Sequence, residues 1–151
     1  MNENLNGQDQ EKLNAWIKTQ MNNAVRKFTD RGTIEAFLIE AKPAWVLPYQ
    51  VLIGKIREQG KPDRFEWFIC GGVPTDFLGS AAASTPRDAA RHFAMKWQLQ
   101  AARFQESGSQ DLPGQKAEFN PSTLGAHLGD MAEALYALVN DERLWLQKGD
   151  F

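Results

Sequence analysis

Cysteine is the scarcest chemically versatile residue in this 151-residue chain: there is one, Cys70. A lone cysteine excludes an internal disulfide framework and the multi-thiolate zinc sites. Histidine is almost as scarce, with only His92 and His127, so neither a metal nor a cofactor is expected. Excess charge is missing too. Lys and Arg number 17 against 19 Asp and Glu, for a net charge of −2 and a pI near 5.7. That balance argues against nucleic acid, whose binders carry a strongly basic face. No apolar run reaches the roughly 18 residues that span a bilayer, so no membrane association is expected. The opening MNENLNGQDQEK has neither the basic nor the apolar region of a signal peptide. The expected location is the cytoplasm, where a single cysteine stays reduced.

What is present is an ordinary globular composition, 42% hydrophobic and 24% charged, suited to a single domain over 1–151. Residues 1–8, polar and rich in Asn, read as a disordered tail. From Asp9 to Arg31 the pattern Leu13, Trp16, Ile17, Met21, Ala24, Phe28 places one apolar face on a helix. Asp9 is placed to cap its start and Gly32 to end it. Thr33 to Glu40 fits a short helix or a strand equally well. Ala44 to Leu47, between Pro43 and Pro48, is expected to be extended, because a residue preceding proline is pushed out of the α region.

Tyr49 to Glu58 carries Val51, Ile53 and Ile56 and predicts a strand. Gly60-Lys61-Pro62-Asp63 predicts a turn, and Phe65 to Cys70 the returning strand. A four-residue loop sets Arg57 opposite Glu66 and Ile56 opposite Trp67, matching charge with charge and apolar with apolar. Slipping by one residue would put Lys55 against Trp67, the less favoured register. A non-periodic stretch, Gly71 to Ser84, then leads to Thr85-Pro86-Arg87-Asp88, a helix start with cap, proline and acid in order.

The helix from Pro86 to Glu106 has two apolar stripes. Ala90, Phe93, Ala94, Trp97, Ala101 and Phe104 form one; Met95, Leu99 and Ala102 form another on nearly the opposite side. Such a helix belongs to a central position or an oligomer interface. After a polar loop, Pro121 to Asn140 predicts a last helix with Leu124, Leu128, Met131, Leu135, Leu138 and Val139 as its stripe. Gly125, Gly129 and Ala132 beside it allow a second backbone to approach closely. Leu144, Trp145, Leu146 and Phe151 are expected to fold back on the domain or meet a partner. The fold class is α+β: a long N-terminal helix, a small antiparallel hairpin or sheet, and two further long helices packed on it.

The candidate chemistry is sparse. Cys70 ends a strand before a glycine turn, yet no nucleophile signature accompanies it, and burial in the core is its expected role. Gly71-Gly72 lacks the following lysine and helix of a phosphate loop, so the pair reads as a strand terminator with Asp76 capping a turn. His127 reads as a surface residue. One junction can hold a ligand. Thr75 and Asp76 precede a helix start bearing Arg87, Arg91 and His92, where the helix dipole favours an anion.

Trp45-Val46-Leu47-Pro48, the run Trp67 to Phe77, Pro86 to Phe93, and Lys96-Trp97-Gln98-Leu99-Gln100 resemble an uncharacterised proteobacterial family of about this length, known only as a domain of unknown function. The resemblance implies a bacterial cytosolic protein of one domain and supplies no activity or catalytic residue. Two functions follow. One is a non-enzymatic binding protein acting on a protein partner or on itself as a homodimer. The other is a small-molecule or anion-binding protein, an enzyme in one version, with its pocket where Gly71–Leu78 meets the Pro86 helix.

Overall fold

The first helix, α1, runs Glu3–Thr29 in a computed structural model that describes residues 3–31, 38–61, 64–108 and 121–145. It begins well before the Asp9 cap and takes in residues expected as a free tail. Gly7 inside it costs roughly 1 kcal/mol against alanine, too little on its own to end the helix. Gly32 lies outside the described residues.

The hairpin grows into a four-stranded antiparallel sheet of order β1-β2-β3-β4: β1 Ile39–Leu47, β2 Val51–Glu58, β3 Phe65–Gly71, β4 Asp76–Gly79. The architecture is therefore α+β. β1 includes the extended stretch 44–47 and extends back through Glu40; 33–37 lies outside the described residues. Pro43 sits in this edge strand beside an irregularity between Pro43 and Trp45 that leaves Ala44 unpaired. Edges and bulges are where a strand tolerates proline.

The β2–β3 register differs from the expected one. Lys55 faces Trp67, Ile56 faces Glu66 and Arg57 faces Phe65. The like-with-like argument fails because each charged side chain finds a partner elsewhere, and Lys55 finds its own in the aromatic rings of its β3 neighbours. Its Nζ lies 4.7 Å from the Phe65 ring centre and 5.0 Å from that of Trp67, a cation–π geometry. Glu66, on the other face, accepts from Arg31 at 3.0 Å, and Arg57 pairs with Glu40 across to β1 at 2.7 Å.

Strand alternation sorts the sheet into two faces. Val46, Leu52, Ile56, Phe68 and Cys70 form a core with Ala24 and Phe28 of α1. Trp16, Ile17 and Met21 of the predicted stripe pack against it, while Leu13, one turn earlier, is half-buried. The opposite face is buried at one end, through Trp45, Val51, Ile53, Trp67 and Ile69. Trp67 Nε1 donates to the Ala83 carbonyl at 3.0 Å. Its other end carries the charged residues.

The chain divides into two compact units, one ending at Pro86, the other spanning Arg87–Lys148. The second holds α2, Pro86–Gly108, and α3, Pro121–Val139. Of the first predicted α2 stripe all but Phe104 are buried, with Trp97 and Phe93 the largest side chains among them. Gly125 of α3 meets α2 where a Cβ would lie 2.9 Å from the Ala101 carbonyl, the close approach its size allows. Trp145 folds back to donate from Nε1 to the Leu138 carbonyl at 2.9 Å. The Leu124 side chain, Leu146 and Phe151 lie outside the described residues. Among the described residues no helix is long and apolar enough to cross a membrane.

Candidate functional site

The glycine junction is explained locally. Pro48 sets the first corner of the β1–β2 turn, and the Gln50 N–H closes it on the Leu47 carbonyl at 3.0 Å. Tyr49 holds the second corner at φ 65. The Gln50 carbonyl then accepts from the Gly72 N–H at 2.8 Å. Gly71 ends β3 at φ 117, and a Cβ there would sit 2.7 Å from the same carbonyl. The two turns are strapped together, and only glycine fits position 71.

Asp76 opens β4 as the partner of Ile69. Its Oδ1 accepts from the Phe77 N–H at 2.8 Å, and Thr75 before it is half-buried. Both belong to the first unit, and the three predicted basic residues to the second. Arg91 donates to Asp88 at 3.2 Å, and His92 Nε2 lies 3.9 Å from the same oxygen. These two are thus brought together. Arg87 instead donates from Nε to the Val139 carbonyl at 2.9 Å, where the end of α3 leaves carbonyls without intrahelical partners.

Cys70 is fully buried on the α1 face, its Sγ 3.8 Å from the Gln20 carbonyl. Burial pushes the thiol up to about 12, the reverse of what a nucleophile needs. His127 is exposed on α3. Among the described residues no group of three His, Cys, Asp or Glu could hold a metal.

Two features remain unaccounted for. The second α2 stripe faces outward: Met95 is 44% exposed and Leu99 61%, with Ala102 exposed beside them. The other is a cleft of about 430 Å³ at the charged end of the sheet, lined by Glu40, Lys42, Pro43, Ala44, Lys55, Ile56, Arg57 and Phe65. Sequence reasoning missed the cleft because it needs β1 in register with β2, and β1 was ambiguous before Pro43. The available signal was the alternation Glu40, Lys42 against Lys55, Arg57.

No curated protein and no solved structure matches this chain. The profile of a domain of unknown function, DUF4826, matches residues 9–145, which takes in all four strands, α2, α3 and all of α1 but its first six residues, and the chain belongs to that family.

Proposed function

We propose that this protein acts by binding rather than by catalysis, and that it binds a second copy of itself through the outward face of α2. The exposure of Met95 and Leu99, one helical turn apart with Ala102 beside them, carries the reading. With Leu99 61% exposed, roughly 1–2 kcal/mol of burial is left unrealised. A two-fold pairing makes the same patch self-complementary. In an antiparallel pair centred on Leu99, Arg91 and His92 of one copy approach Glu106 of the other. The near-balanced charge supports a protein partner over nucleic acid. We place the protein in the bacterial cytosol as part of the same proposal, in keeping with its single buried Cys70.

Sedimentation equilibrium tests it. The expected result is a dimer that Leu99→Lys converts to a monomer with an unchanged circular-dichroism spectrum. A wild-type protein monomeric at every concentration overturns the reading.

A further inference from the structure

The cleft on the sheet is built from a regular grid. On one face, Glu40 and Lys42 of β1 stand opposite Arg57 and Lys55 of β2, and Phe65 and Trp67 of β3 stand opposite Arg57 and Lys55 in turn. Arg57 is committed: its Nε and one terminal nitrogen both donate to a single oxygen of Glu40, at 3.0 and 2.7 Å. Lys42 and Lys55 are not neutralised in this way. They are direct cross-strand partners, and like charges so placed repel. Among the described residues neither has a carboxylate partner. Lys55 is held instead over the Phe65 and Trp67 rings. Two positive charges therefore remain in the lining of a cleft whose other walls are the Glu40–Arg57 ion pair and the apolar Pro43, Ala44, Ile56 and Phe65.

We propose that this cleft binds a small phosphate monoester, its dianion bridging Lys42 and Lys55. Cross-strand partners have Cβ atoms about 4.5–5.5 Å apart, so two lysine chains can close on one phosphate group. The chemistry favours phosphate over a carboxylate. A phosphate monoester carries about two negative charges to match the two ammoniums, where a carboxylate carries one, and Arg57, the guanidinium among the lining residues, is already held by Glu40. Lysine ammoniums act as point charges, a mode suited to phosphate. A cleft of about 430 Å³ falls in the range of small-molecule sites, roughly 300–1,000 Å³, and leaves room beyond the phosphate for an organic body against Phe65 and Pro43. The bulge at Ala44 re-aims the edge strand beside the site, a recurrent use of such irregularities.

The test is titration of the full chain with glycerol phosphate, followed by amide chemical shifts, with sodium chloride at matched ionic strength as the reference. Saturable shifts at Lys42, Lys55, Arg57 and Phe65 are expected, with affinity falling at least tenfold in Lys42→Gln and in Lys55→Gln. Arg103→Gln, in α2 and not among the residues lining the cleft, should bind as the wild type does. Lys42→Glu adds a check against unfolding: replacing the repelling pair by an opposite-charge pair, it should melt no lower than the wild type and yet lose binding. Absence of saturable shifts, equal shifts with chloride, equal loss in Arg103→Gln, or tighter binding of a single-stranded oligonucleotide to the same residues would each overturn the proposal.

Discussion

Gly71 shows how much one residue can decide. It has a backbone conformation that L side chains rarely adopt, φ 117, and a Cβ there would lie 2.7 Å from the Gln50 carbonyl oxygen, closer than Cβ atoms come. Gly72, next to it, is under neither constraint as severely: a Cβ there would lie 3.3 Å from the same oxygen. Gly71→Ala should therefore destabilise the protein by about 2–4 kcal/mol, combining left-handed strain with overpacking. Gly72→Ala should cost about 1 kcal/mol or less, and chemical denaturation of the pair checks the contrast. The sequence pattern showed that the glycines end a strand. It could not show which one is indispensable, because Gln50 is distant in the chain and the turn that presents it depends on Pro48 and Tyr49. Cys70 was more legible, since a cysteine in an apolar strand is usually core. Its folded value, about 12, stands above the ordinary 9.0. The neutral thiol's contribution is thus complete below pH 9.0 and is lost as pH rises toward 12. The stability gap between wild type and Cys70→Ala should narrow across that window in pH-dependent thermal melts. A constant gap would contradict the burial argument.

At the scale of elements, periodicity revealed what local pattern controls. The α1 stripe and the starts of α2 and α3 at Pro86 and Pro121 were readable because apolar spacing and proline position are local signals. The register of β2 on β3 was not, because two energies compete there. Matching Arg57 with Glu66 looked best for the isolated hairpin. In the sheet, Arg57 finds Glu40, Glu66 finds Arg31, and Lys55 is released to the aromatic rings. Two of these partners, Glu40 and Arg31, lie outside the hairpin. The same reasoning hid the cleft, whose residues meet only once β1 is in place. The small residues of α3 were legible as a packing device, and the structure separates them. Gly125 is pressed against the Ala101 backbone of α2, whereas a Cβ on Gly129 would make an ordinary contact 3.7 Å from the Ala101 side chain. Gly125→Ala should destabilise by about 1–3 kcal/mol through overpacking. Gly129→Ala should stabilise by up to about 1 kcal/mol through helix propensity. Opposite signs in urea unfolding are the expected outcome; equal signs would mean the helices do not pack as described.

For the whole molecule, the decisive question is what covers α2. Its buried stripe, with Ala90, Phe93, Ala94 and Trp97, accounts for one side of the helix. The sequence was right that a second apolar stripe exists, and Met95 and Leu99 remain open to solvent. A single exposed leucine needs no explanation; two large apolar side chains one turn apart, between Arg91 and Glu106, form a face. If a second copy covers it, folding and association are linked, and the melting temperature must depend on concentration. For a dimer, a tenfold rise in protein concentration contributes about 0.7 kcal/mol per chain, half of RT ln 10. In a chain of this size that raises the melting temperature by roughly 2 °C. Leu99→Lys should abolish the dependence, leaving one melting temperature at all concentrations. A wild type equally insensitive to concentration would leave the α2 face without its proposed partner, while the phosphate cleft, on the sheet of the other unit, would stand or fall on its own titration.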